Sequence, residues 1–154
     1  RQMCIRDRSQ ALGTSAEALL RGDLEENDLS NGNMKRVRVC VCPHCGNLVL
    51  LSDAADVTCC GQTLQALTPQ APDEAHRLTA ELSDGAWYLT SSHPMQREHY
   101  LSFTALVDED TLVLRRLYPE WDAQTRLPYF AHGTLLWYCT RHGLFAQKID
   151  AHKK

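Results

Sequence analysis

The sequence predicts a mainly β protein: a small unit stapled by a metal, then an antiparallel β-sandwich, with a short helical remnant at the N-terminus. Three observations carry this. Two cysteine hooks, Cys42-Pro43-His44-Cys45-Gly46 and Cys59-Cys60-Gly61, lie within one short stretch. Beyond them, short apolar segments recur at the intervals of a sandwich. The composition, 44% hydrophobic and 23% charged over 154 residues, is that of an ordinary globular chain holding one domain or two small ones.

Residues 1–8 (RQMCIRDR) have neither a helical nor a strand period and resemble translated adapter read-through. They are set aside as an artefact, and Cys4 with them. Residues 9–23 resemble the closing helices of a helix-turn-helix domain of the lambda-repressor type. Ser15 can cap a short helix with Leu19 and Leu20 at its apolar end, and Gly22 stops it. An unremarkable N-terminal extension is the alternative. Residues 24–33 are acidic and turn-rich and read as a linker, which closes a first segment at residue 33.

The second unit covers residues 34–70. Alternation from Lys35 to Val41 marks a strand leading into the first hook, and Leu48 to Leu51 makes another. Thiolate hooks of this kind give tetrahedral coordination of zinc or iron by Cys42, Cys45, Cys59 and Cys60. Vicinal Cys59 and Cys60 can reach one metal only if the chain turns between them, which Gly61 permits. So small a unit buries too little apolar surface to stand alone, and the metal supplies the staple. Cys40 reads as a strand residue and His44 as a loop residue.

Residues 65–72, with two prolines, read as a linker into the third unit, 71–154. Strands are expected near His76–Leu82, Ala86–Thr90, Tyr100–Val107, Thr111–Tyr118, Leu135–Cys139 and Leu144–Ile149. Leu101, Phe103, Ala105 and Val107 are expected to face the core, and Asp108 to Asp110 to form a hairpin loop. Residues 119–130 are too polar and irregular for a central strand. Trp87, Trp137, Tyr138 and Phe145 are assigned to the core. His132 is read as a turn residue and His152 as part of a basic tail.

Pro94 keeps its neighbours out of a regular helix or central strand, so His93 is expected on an exposed loop and His99 at the start of the next strand. Cys139 and His142, at a CxxH spacing, add a thiolate and another imidazole, which together suit a metal. The set HPMxxEHY (93–100), CxxHGL (139–144) and Glu74-Ala75-His76 resembles the ferrous-iron site of the desulfoferrodoxins, the two-iron superoxide reductases. CPHCGN with the vicinal pair resembles the desulforedoxin-like domain at their front. The resemblance implies an immunoglobulin-like antiparallel sandwich behind that domain. It also implies an iron centre with His76, His93, His99 and His142 equatorial, Cys139 axial and the sixth position open. Glu74 matches the family residue that fills that position after oxidation. Where the family has Lys between that Glu and the first His, this chain has Ala75.

The implied activity is reduction of superoxide to hydrogen peroxide, with iron at the His4Cys site, iron or zinc at the Cys4 site, a rubredoxin-like electron donor and a homodimer. A regulator that senses iron or oxygen species is the competing function, with DNA reached only through a missing upstream domain. A formal charge of −3 offers no general attraction for nucleic acid. No apolar run approaches the length, about 18 residues, that crosses a bilayer. An odd count of seven cysteines, four in a metal pattern, favours the reducing cytoplasm. The two metal units are expected to be separable.

Overall fold

The computed structural model describes residues 34–152, together with 15–21 and residues 4, 5, 7 and 9. The expected linker over 24–33, the Gly22 stop and most of the 1–8 segment lie outside the described residues. Helix α1, Ala16–Arg21, begins where the sequence placed it, since Ser15 Oγ accepts from the amide of Ala18 at 3.0 Å. Among the described residues no helix is long and apolar enough to cross a membrane.

The rest is β structure, as expected. Met34–Arg36 form a 3-10 turn rather than the start of a strand, and β1 (Arg38–Val41) pairs antiparallel with β2 (Leu48–Leu51). A second hairpin joins β3 (Val57–Cys59) to β4 (Gln62–Leu64), two strands too short to leave a period in the sequence. The sandwich has a three-stranded layer, β5 (Thr79–Ser83), β6 (Ala86–Thr90) and β9 (Gln124–Pro128), in the order β5-β6-β9. Facing it are β7 (Leu101–Val107), β8 (Leu112–Arg116), β10 (His132–Cys139) and β11 (Gly143–Asp150), in the order β11-β10-β7-β8.

Strand β9 lies inside the segment read as irregular. It is an edge strand bonded only to β6, so one buried anchor, Leu127, suffices and the other positions stay polar. His132 opens β10 rather than sitting in a turn, and His76 ends a 3-10 turn, Glu74–His76, before β5 begins.

The expected inward face of β7 is also revised. Tyr138 lies opposite Phe103 but Cys139 opposite Leu101, so Ser102 is an extra residue and alternation reverses there. Leu101 and Leu106 therefore join the inter-sheet core with Trp87, Leu89, Leu127, Leu135, Trp137 and Phe145. Phe103, Ala105 and Val107 face the opposite way. That outer face is not wet: Val39 of β1 packs on it with Leu136 and Leu144, flanked by Met34, Val37, Leu48 and Leu67. All seven residues of β7 are buried as a result.

The stretch read as a linker is pinned at both ends. The amide of Leu67 donates to the Val39 carbonyl at 2.8 Å, and Gln70 exchanges backbone bonds with Leu144 and Ala146 of β11.

Candidate metal centres

In the first cluster, Cys42 directly follows β1 and the chain folds back at once: Gly46 N donates to Cys42 O at 2.9 Å with Gly46 at φ 68°. That turn brings Cys45 round beside Cys42. On the other hairpin Cys59 pairs with Gln62, leaving Cys60-Gly61 as a two-residue loop with φ 51° and 76°. Two left-handed residues in succession match the twist of a tight hairpin and swing the Cys60 side chain back toward Cys59. The sulfurs of Cys45 and Cys59 are 3.6 Å apart and those of Cys59 and Cys60 4.0 Å.

The Cys45 amide draws the Cys42 thiol down to about 6, while its thiol neighbours, Cys45 first and then Cys59, push Cys60 up to about 12. Four sulfurs this close cannot all be thiolates unless a cation sits among them. The donor set fits a tetrahedral metal.

The second cluster gathers its groups from separate parts of the sandwich. His76 closes its 3-10 turn, His93 lies in the loop after β6, His99 just precedes β7, and Cys139 and His142 flank the β10–β11 turn. Five ligand atoms, one from each, all lie within 4.8 Å of one another. The four imidazoles form a closed belt. Centroid distances are 5.1 Å for His76–His93, 4.7 Å for His93–His99, 4.9 Å for His99–His142 and 4.6 Å for His142–His76.

For two of the rings, hydrogen bonds decide which nitrogen turns inward. His76 Nδ1 is held by Asp73 Oδ1 at 2.5 Å and His93 Nδ1 by the Pro94 carbonyl at 2.7 Å, so both present Nε2. Nε2 of His93 and of His99 are buried without a hydrogen-bond partner. His142 presents Nδ1, 2.8 Å from His76 Nε2 and 3.4 Å from the Cys139 sulfur.

Burial lowers the affinity of His93 for a proton. Burial, then the charges of His142 and Arg141, lowers that of His99. Neutral imidazoles keep the lone pair that a metal needs. Leaving a buried ring nitrogen unpaired costs about 1–3 kcal/mol, and two nitrogens at hydrogen-bond distance need a proton or a cation between them. This donor set fits a cation better than it fits water.

His93 is not exposed as expected: it is 4% accessible, because Ser91 Oγ accepts from its amide at 3.1 Å and donates to the Arg77 carbonyl, folding the loop inward. Thr140 binds the two site loops together through Tyr100 and Glu98. Gln70 Nε2 donates to the His142 carbonyl at 2.7 Å.

Glu74 is exposed and outside the group of five, and Cys4 is exposed and outside both clusters. Cys40 is buried on β1 beside Cys42, and His44 is exposed in the first hook. Trp87, Trp137 and Phe145 are buried as expected, and Tyr138 is half-buried.

Two of these core residues also serve the site, which their aromatic character alone did not reveal. Trp137 Nε1 donates to the His76 carbonyl at 2.9 Å, and Phe145 stacks on the His76 ring at 4.5 Å and 16°. Asp73 was missed altogether, although an Asp three residues before a turn-ending His is a capping signal.

No protein-family model matches the chain. It is 29% identical over 93 residues to the desulfoferrodoxin of Desulfarculus baarsii, a span of 55% of this chain and 74% of that protein. It is 24% identical over 123 residues to the desulfoferrodoxin of Syntrophotalea carbinolica, covering 74% of this chain and 98% of that protein. The superoxide reductase from Treponema pallidum shares the fold, with a TM-score of 0.64 at 18% identity over 73% of this chain and 98% of that one. The resemblance to desulfoferrodoxins drawn from the motifs is borne out.

Proposed function

We propose that the chain is a non-haem iron protein that reduces superoxide to hydrogen peroxide at the His4Cys cluster. The observation that carries this reading is the belt of four imidazoles closed over a buried cysteine, with two buried Nε2 atoms lacking any other partner. In it Nε2 of His76, His93 and His99, Nδ1 of His142 and the sulfur of Cys139 would hold the iron.

Iron(II) bound there supplies the one electron that, with two protons, converts superoxide to peroxide. The protein residues prepare for this. Cys139, with its side chain wholly buried, would hold the iron through sulfur, whose electron density would favour loss of that electron. His142 is the exposed member of the group, from whose side a small anion would approach, and Glu74, also exposed, lies outside the group. Arg141 supplies a cation within the CxxH turn itself, with Glu98 at 3.7 Å.

The four-cysteine cluster, formed by residues 34–70 in front of the sandwich unit 71–154, holds iron or zinc and serves as a staple or an electron-transfer centre. A small redox protein of the rubredoxin kind restores iron(II), and the cytoplasm keeps the thiols reduced.

The test is optical. The oxidised iron-loaded protein is expected to show a sulfur-to-iron charge-transfer band in the visible, which Cys139→Ser removes while part of the iron remains. A band unchanged by that substitution refutes the ligand assignment. Because Ala75 stands where the family has Lys, Ala75→Lys is expected to raise the rate with superoxide by about tenfold and to steepen its fall with salt.

A further inference from the structure

We propose that Asp73 is a positioning residue that sets the redox balance of the iron centre through His76. The inference rests on the iron reading of the same cluster. Asp73 caps the Glu74–His76 turn from an extended backbone, and one oxygen serves two bonds. Oδ1 accepts from the His76 amide at 2.9 Å and lies 2.5 Å from His76 Nδ1.

The His76 ring has little other freedom. It is 5% accessible, stacked on Phe145, and its carbonyl is fixed by the Trp137 indole. What remains is which nitrogen faces the cluster, and Asp73 decides that by accepting the Nδ1 proton and leaving Nε2 bare.

The four imidazoles are not equivalent in this respect. His93 leans on a neutral carbonyl, that of Pro94, and His142 has its Nδ1 inside the cluster. Of the four, His76 is the one with a carboxylate at hydrogen-bond distance from its ring. A carboxylate that draws on the Nδ1 proton makes Nε2 a richer donor, which stabilises iron(III) over iron(II). Asp73 would therefore act, through His76, in the same sense as the Cys139 sulfur, and both would favour outward transfer of the electron.

Three variants separate charge from capping. Asp73→Asn retains an oxygen for both bonds and removes the charge; Asp73→Ser can cap the amide but loses the ring contact; Asp73→Ala loses everything. The measurements are an optical redox titration of the iron-loaded protein and iron(II) affinity by competition with a chelator. Asp73→Asn is expected to shift the equilibrium about tenfold toward iron(II), which for a one-electron couple is about 59 mV upward. Affinity is expected to fall by about 10- to 100-fold in the Ser and Ala variants. If Asn and Ser both leave the potential where it was, Asp73 is a cap and the proposal fails. If the unaltered protein shows no band that depends on Cys139, the iron reading itself has failed and this proposal goes with it.

Discussion

The four thiols of the first cluster come from residues 42–60 and lie on two short hairpins around three buried residues, Cys40, Cys42 and Leu64. The five groups of the second span residues 76–142 and hang from the loops of a sandwich whose inter-sheet core contains Trp87, Trp137 and Phe145. Both bring their ligand atoms within 4.8 Å of one another. In the first, on the proposed reading, a cation would staple the two hairpins, whose own cluster buries only Cys40, Cys42 and Leu64. In the second the sandwich itself positions the ligands, so a cation would enter a frame that the core already holds.

That contrast is broken most severely through Cys59. Structural zinc sites contribute about 10–16 kcal/mol of apparent binding free energy at neutral pH, which in a small unit is folding free energy. Cys59→Ser is expected to strip hydrogen-exchange protection from β3 and β4 while β5, β6 and β7 keep theirs and the optical band of the second site persists. Global unfolding in this variant would mean that the sandwich leans on the first metal, and the contrast would be wrong.

Trp137→Phe attacks the other side. It deletes the buried bond to the His76 carbonyl and part of the inter-sheet packing, at about 3 kcal/mol. It is expected to lower the thermal midpoint of the sandwich and weaken iron binding, leaving metal at the four cysteines untouched. Equal loss at both clusters would contradict this.

Val39→Ala sharpens the comparison, because Val39 lies where the first unit meets the outer face of β7. Removing two carbons from a buried site costs about 1.5 kcal/mol. Urea unfolding followed by amide exchange is expected to show β1 and β2 loosening first.

The smallest effect belongs to Lys35 and Glu109, whose exposed pair at 2.7 Å ties the first 3-10 turn to the β7–β8 hairpin. Lys35 holds the Glu109 carboxyl below its ordinary range. A depressed carboxyl stabilises above its unfolded value and loses that contribution as pH falls through the folded one. Glu109→Gln is therefore expected to shift the thermal midpoint by about 1 °C at pH 7 and not at all in strong acid. A shift that survives strong acid would mean that packing, not charge, is responsible.

The same local-against-distant contrast explains what could be read in advance. Cys42, Cys45, Cys59 and Cys60 announce their cluster by spacing, and Gly61 marks the turn that aims the vicinal pair. For His76, His93, His99, Cys139 and His142, spacing marked only fragments, and it took resemblance to known motifs to join them. The frame was legible where a strand is wet on one face, as at β6, and misread at β7. There a single extra residue, Ser102, reverses alternation, and the first unit covers the outer face. Asp73 and Trp137 escaped because their partners, a ring nitrogen and a carbonyl of His76, are set by tertiary contact.

The most direct measurement is a product count. The iron(II)-loaded protein is mixed anaerobically with a limited amount of superoxide, and peroxide, oxygen and oxidised iron are measured together. A superoxide reductase gives one peroxide and one oxidised iron for each superoxide consumed and releases no oxygen, and Cys139→Ser abolishes the reaction. Half a peroxide per superoxide with oxygen evolved would mean dismutation, and no reaction beyond the spontaneous rate would mean that the cluster binds metal without reducing superoxide.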